Sequence, residues 1–174
     1  MKHDKSNIIH PTAVIYDNVI LGKNNVIGPY AVIGNIGECR GETERKGNVV
    51  IGNNNIINSG VTIDSPVRSE LTKIGHNCFI MTKSHIGHDC ILGDFVTIAP
   101  GAVVGGVCVL EDWVNLGINS SIHQRLTIGE SAMIGMGAVV TKDVKLFDVM
   151  IGSPARFLKK NHVGAKKRGL IIHD

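Results

Sequence analysis

The chain has 174 residues, 43% of them hydrophobic, with 18 Lys and Arg against 15 Asp and Glu for a formal charge of +3. That length suits one domain with a continuous core, and so mild a charge argues against a dedicated nucleic-acid binder. No run of about 18 apolar residues is present to span a bilayer, and the Met1 to Lys5 start lacks a secretory hydrophobic region, so a cytoplasmic protein is expected.

From the N-terminus, Ile9, Ile15, Leu21, Ile27 and Ile33 fall on every sixth residue. The beat returns at Ile51, Ile57 and Ile63, and then runs unbroken from Ile74 through Ile80, Ile86, Leu92, Ile98, Val104, Leu110, Leu116, Ile122, Ile128 and Ile134 to Val140. Four residues after the aliphatic comes a second, smaller inward position, as at Ala31, Cys78, Ser84, Cys90, Val96, Ala102, Cys108, Val114, Ser120, Ala132 and Ala138. A six-residue unit cannot alone bury enough apolar area to offset the entropy of ordering it. Stacked units can, if each forms one side of a coil and the aliphatic residues make ladders inside a tube. A narrow prism of this kind explains why only 4% of residues are aromatic, and the 21 glycines are expected at corners that need φ > 0. The period does not set the hand of the coil, and ordinary parallel crossovers predict a right-handed one. Cys78, Cys90 and Cys108 read as buried small hydrophobes, whereas Cys39 sits off the beat.

Two segments break the repeat. Gly34 to Val50 carries Glu38, Arg40, Glu42, Glu44, Arg45 and Lys46, too many charges to line a prism, so a protruding loop is expected rather than an irregular coil. The second spans Asp64 to Lys73, where Ile63 and Ile74 stand 11 apart instead of 12. Loops on a rigid scaffold are where binding residues usually sit. After Val140 the pattern decays; residues 152–174 are expected to cap the solenoid formed by 1–151, with a short helix starting near Pro154. Lys159, Lys160, Lys166, Lys167 and Arg168 make this end basic enough for a phosphate-rich ligand.

The eight histidines invite a metal reading, and spacing answers it. His85 and His88 flank the inward Ile86, His76 lies on a different face, and His123 comes 35 residues after His88, close to two full coils. These make a poor three-histidine zinc cluster, so no metal site is expected. The His88-Asp89 pair suits general-base chemistry, because a neutral imidazole can take a proton from an attacking hydroxyl or ammonium while an acceptor holds its other ring nitrogen. Adjacent side chains on an extended unit point to opposite faces, which leaves open whether Asp89 or a backbone carbonyl is that acceptor.

The whole chain resembles the left-handed β-helix acyltransferases built on hexapeptide repeats, and within them the UDP-N-acetylglucosamine acyltransferases of lipid A synthesis. Thr72-Lys73-Ile74-Gly75 and His85-Ile86-Gly87-His88-Asp89-Cys90 match the segment that carries the family's general base, Ser121-Ile122-His123-Gln124 matches its His-Gln motif, and Asn161 to Gly169 is similar to its Asn-x-Glu-Gly-Leu-Lys-Arg-Arg-Gly element. The resemblance implies an all-β, single-stranded left-handed parallel β-helix with loops at about 34–50 and 64–73 and a short C-terminal helical segment. It also implies a homotrimer with active sites between neighbouring prisms. By the same resemblance His88, Asp89 and Gly106 form the catalytic set, Gly106 offering its N–H to the oxyanion, and His85, His123, Lys73, Asn161 and Arg168 hold substrate.

Departures from that group shape the expected substrate. Val107 replaces an active-site histidine, Val163 a glutamate and Lys167 an arginine, no Asp-x-Lys motif surrounds Cys39, and the chain stops short of most of the helical domain that docks acyl carrier protein. Gly135 to Val144 and Gly152 to Arg156 resemble instead the acetyl-CoA-dependent sugar acetyltransferases of the same fold. Acetyl-CoA is therefore the expected co-substrate, with no tightly bound cofactor, placed against Gly135, Gly137, Lys142, Pro154, Arg156 and Lys167. The acceptor is expected to be a sugar or nucleotide sugar, acylated on oxygen or nitrogen. Transfer from acyl carrier protein to a UDP-sugar is the alternative within this class. A γ-type carbonic anhydrase would need His-x4-His where this chain has His85-x2-His88, and a non-catalytic trimeric scaffold would not need His88, Asp89 and Gly106.

Overall fold

The computed structural model describes residues 4–41, 43–44 and 46–173; Glu42 and Arg45 of the first loop, residues 1–3 and Asp174 lie outside them. A regular turn of the chain is 18 residues and three short strands, one per face of a triangular prism. Phe79–Ile80, His85–Ile86 and Ile91–Leu92 form one such coil, on what we term faces 1, 2 and 3. Coils pair in parallel with inward residues in register: Ile80 with Ile98, Ile86 with Val104, Leu92 with Leu110. The twelve aliphatics from Ile74 to Val140 are all buried, and so are the small partners, including Cys78, Cys90 and Cys108. The helix is left-handed. The right-handed rule rests on a long crossover packing back onto its sheet, and here the crossovers are short corners with nothing to pack back.

The glycines serve the expected purpose only in part: eight, among them Gly60, Gly101 and Gly137, take a positive φ. Thirteen described non-glycine residues hold the positive-φ corner position, among them Asn77 (56°), Asp89 (61°), Phe95 (58°), Val107 (65°) and Trp113 (63°). Most glycines instead follow the inward aliphatic, where the next coil lies against them: a Cβ on Gly75 would stand 2.4 Å from Gly93 O, and one on Gly87 2.8 Å from Gly106 N. Close stacking, not left-handed backbone, selects glycine there. The strained corners are held by ladder bonds, as where Phe95 N donates to His76 O and Val107 N to His88 O.

Near the N-terminal end the inner corner between faces 3 and 1 is polar. Asn25 Nδ2 donates to Asn7 Oδ1, Asn55 Nδ2 to Asn25 Oδ1, and Cys78 N to Asn55 Oδ1 at 2.7 Å, with Asn25 and Asn55 fully buried. Asn55→Ala would orphan the Cys78 amide and the Gly75 carbonyl; a loss of about 2–4 kcal/mol is expected in urea unfolding. A loss under about 0.5 kcal/mol would show that this ladder is dispensable.

Both breaks are insertions at a corner. Val32–Asn35 on face 2 is followed by Asn48–Ile51 on face 3, so the 18-residue spacing from Ile33 to Ile51 is one six-residue step plus twelve extra residues. Thr62–Asp64 and Leu71–Ile74 stand in the same relation, which makes the spacing of 11 one step plus five residues rather than two steps minus one. Both loops thus leave the same corner, between faces 2 and 3. The C-terminal expectation needs correcting: no helix starts near Pro154. Arg156–Lys160 pairs antiparallel with Asp148–Ile151 and is the last strand of face 1, and the helix begins only at His162, ending at Lys167. No helix among the described residues is long and apolar enough to cross a membrane.

Candidate active site

His88 and Asp89 sit at the corner between faces 2 and 3, beneath both loops. At Asp89 the backbone turns with φ 61°, so the alternation of an extended strand does not apply and the two neighbouring side chains meet. His88 Nδ1 lies 2.6 Å from Asp89 Oδ2. Asp89 therefore is the acceptor that the sequence left open. The carboxylate also receives Val67 N and Arg68 N at 3.1 Å, Ser69 N at 2.7 Å and the Ser69 hydroxyl. Burial opposes the charge on Asp89, but Ser69 Oγ, His88 and the Ser69 and Val67 amides outweigh it and hold the carboxyl at about 2. An ionised carboxylate can only accept, so the imidazole proton sits on Nδ1 and Nε2 presents its lone pair.

Nε2 faces Gly106, one coil along. A Cβ on Gly106 would lie 2.5 Å from His88 Nε2 and 2.7 Å from Cε1, so only glycine admits the ring. Gly106 N donates to no described group, whereas its carbonyl receives Arg125 N. An unused N–H beside a basic nitrogen is the pairing that acyl transfer needs, one to take a proton and one to meet a developing oxyanion. From the other side the first loop closes in, since a Cβ on Gly37 would stand 2.8 Å from His88 Cβ and 2.4 Å from Val67 Cγ2.

His85 lies on the adjoining face with Nδ1 2.8 Å from Thr62 Oγ1 and Nε2 4.0 Å from Asp64 Oδ2. Asp64 is buried, receives Glu38 N at 3.3 Å, and has its carboxyl pushed up by that burial, with His85 opposing. His123 is exposed two coils on, its Nδ1–H donating to Gln124 O at 3.1 Å. Among the described residues no three of His, Cys, Asp and Glu come together so as to hold a metal ion.

Comparison with known proteins assigns the lineage. The family model "Bacterial transferase hexapeptide (six repeats)" matches residues 2–35 and 71–106. The acyl-(acyl-carrier-protein)–UDP-N-acetylglucosamine O-acyltransferase of Pseudomonas putida (strain F1) is 32% identical over 206 aligned positions, covering 98% of this chain and 80% of that protein. The chain belongs to the hexapeptide-repeat acyltransferases. It is similar to the like-named protein of Anaeromyxobacter sp. (strain Fw109-5), 35% identical over 86% of this chain, but spans only 59% of that relative's length. In structure it resembles the UDP-N-acetylglucosamine acyltransferase of Bacteroides fragilis 9343, with a TM-score of 0.92, 27% identity, and coverage of 95% of this chain and 66% of that one.

Within this acyltransferase the expected site residues fall into separate groups. His85, His88, Asp89 and Gly106 are together. Lys142 stands in the same corner column as His88 and Gly106, being 18 residues beyond Gln124, and is exposed; Lys73 is exposed on face 3 beside Ile91. Gly135 and Gly137 occupy the corner between faces 1 and 2, while Pro154 and exposed Arg156 belong to the terminal hairpin.

Asn161, Lys167 and Arg168 lie elsewhere again, around a cleft of about 560 Å³ also lined by Trp113, Met133, Val149, Lys159 and Lys160. This cleft is on face 1, the side of the prism opposite the His88 corner. Neither it nor an open hollow of about 590 Å³ beside Asp17 and Glu44 is lined by His88. Asn161 and Arg168 also hold the fold. Asn161 caps the helix by accepting Gly164 N at 2.9 Å and donates to Ser131 O. Arg168 bonds Ser131 Oγ and Glu130 Oε1, its guanidinium 5.4 Å from the Trp113 ring and 5.8 Å from Phe147. It thereby fills the rung that Ser131 leaves in the column Phe95, Trp113, Ser131, Phe147, where Phe95 and Trp113 stack at 4.1 Å.

The sequence did not single out Ser69, Thr72, Thr62, Asp64 or Gly37. Thr72 and Thr62 are legible only once the five-residue insertion is known: Thr62 precedes His85 by 23 residues, one coil plus five, and pairs with it. Thr72 Oγ1 accepts Asp89 N at 2.9 Å, replacing the carbonyl that other corner amides use.

Proposed function

We propose that this acyltransferase moves an acyl group from the thioester of acyl carrier protein onto UDP-N-acetylglucosamine or a close UDP-sugar. The observation that carries the chemistry is His88, its Nδ1 proton fixed by ionised Asp89 and its Nε2 lone pair set against the unused Gly106 N–H. As the acceptor attacks the thioester carbonyl, its proton passes to Nε2 and the carbonyl oxygen takes the Gly106 N–H. Collapse breaks the C–S bond, and the imidazolium returns the proton to the leaving sulfur. Asp89 touches no reacting atom and acts as a positioning residue.

The donor reading follows the names of the Pseudomonas and Anaeromyxobacter relatives, both of which specify acyl carrier protein. That support exceeds what the Gly135 to Val144 and Gly152 to Arg156 segments offer for acetyl-CoA. The acceptor reading follows the same names. Lys159, Lys160 and Lys167 around the face 1 cleft suit a ligand with phosphates. Because that cleft lies across the prism from His88, a working site is read as formed between copies, with the cleft of one protomer beside the His88 corner of the next in a trimer. The exposed Ile8, Val26, Ile56, Phe79 and Met133 along face 1 support an association of this kind.

The test is a donor screen with UDP-N-acetylglucosamine, following released thiol, with light scattering for mass. At equal concentrations, acyl-carrier-protein thioesters are expected to give kcat/KM at least about tenfold above acetyl-CoA, from a particle of three chains. Faster turnover with acetyl-CoA would overturn the donor assignment, and full activity from a monomer would overturn the shared site.

A further inference from the structure

Asp64 is a carboxylate at 4% exposure within the His88 corner, and no described Lys or Arg pairs with it. A buried carboxylate without a cation is costly, and such groups are normally paired. What faces Asp64 Oδ2 is His85 Nε2 at 4.0 Å, too far for a hydrogen bond. The other nitrogen of that ring is already engaged by Thr62 Oγ1 at 2.8 Å, and the Asp64 oxygen takes one backbone amide, from Glu38, at 3.3 Å. Asp64 Oδ2 and His85 Nε2 stand 4.0 Å apart, a separation that one donor atom ~2.9 Å from each would bridge. In the tautomer whose Nδ1–H donates to Thr62 Oγ1, both sides of that gap are acceptors. A hydroxyl brings one hydrogen and no charge. An amine brings two or three hydrogens and, when protonated, the cation that Asp64 lacks.

We infer that Asp64 and His85 form the acceptor subsite for an amino group, so that this enzyme prefers an amino-sugar nucleotide and forms an amide rather than an ester. The inference rests on the nucleotide-sugar reading proposed above and specifies its nucleophile. The bound ammonium gives one proton to Asp64, whose carboxyl burial has already raised, and from there to solvent. The neutral amine attacks the thioester carbonyl, forming the C–N bond. Its second proton passes to His88 Nε2 and on to sulfur as the C–S bond breaks. Ammonium and thioester become amide, thiol and one released proton.

The experiment compares two acceptors with one acyl thioester, whichever donor supports turnover: UDP-N-acetylglucosamine, and the analogue with an amine in place of the acylated hydroxyl. The wild-type enzyme is expected to favour the amine at least about tenfold in kcat/KM. In Asp64→Asn, which keeps an acceptor for the Glu38 amide but removes the charge, the preference is expected to fall to within about threefold. A wild-type enzyme that acylates the hydroxyl as fast as the amine overturns the inference and leaves the proposed function standing. An unchanged preference in Asp64→Asn removes Asp64 from the discrimination. Absence of turnover with both acceptors, across the donor panel, overturns the proposed function and this inference with it.

Discussion

Gly106→Ala is expected to lower kcat by about 1,000-fold while moving the thermal midpoint by no more than a few degrees. Gly106 does not need glycine's backbone freedom, since its φ lies outside the positive range, so alanine fits the corner conformation. What alanine does not fit is the imidazole: its methyl would stand 2.5 Å from Nε2, 2.7 Å from Cε1 and 2.9 Å from Cδ2 of His88. The methyl is fixed to the backbone of a stacked coil, so the ring is the part that moves, and moving it parts Nδ1 from Asp89. A displacement of about 1 Å costs on the order of 100-fold through lost orientation, and a misaligned oxyanion donor costs a further 10- to 100-fold. Steady-state kinetics with a melting curve decide the matter. A variant within threefold of wild type would mean that Nε2 does not work at this spot, and with it the assignment of the Gly106 N–H would go.

The solenoid was legible because its signal is a period, repeated often enough that no single residue matters. From Ile74 to Val140 each inward position is set by the same stacking demand, and all twelve are buried. Neither the hand nor the meaning of the glycines was legible in that way. The hand depends on the absence of a packing crossover, and the glycines on how closely one coil lies over the next, a distance that sequence does not print. The pair proposed as catalytic was half legible. His88 and Asp89 stood out as a motif, but their hydrogen bond depends on the positive φ of Asp89, which a strand-based reading assigns to the wrong side. Asp64 reads in the sequence as the first residue of a loop; its place beside His85 appears only when five inserted residues are taken out of the register. Asn161 and Arg168 carry a resemblance that speaks of ligands, yet here each also closes a gap in the fold.

His88→Ala is expected to reduce kcat by at least about 100-fold with KM little changed, the range for losing a general base. Asp89→Asn is expected to come within tenfold of that loss, although Asp89 touches no substrate. Asn could donate to Nδ1, and the imidazole would then carry its proton on Nε2, the nitrogen that must be free. Asn must also turn its amide group toward some of the Val67, Arg68 and Ser69 N–H groups, donor against donor. Because both substitutions act through one proton, the double variant should be hardly worse than His88→Ala alone. The Asp89 carboxyl is held at about 2, below its ordinary value, so its contribution to stability is complete above about pH 4 and lost as the pH falls through about 2. The stability gap between wild type and Asp89→Asn should therefore stay flat from pH 8 to 5 and narrow only below about 4. A gap that closed near pH 6 would mean that a group other than the Asp89 carboxylate holds the second loop. Simple multiplication of the two kinetic losses in the double variant would mean that Asp89 helps catalysis by a route that does not pass through the imidazole.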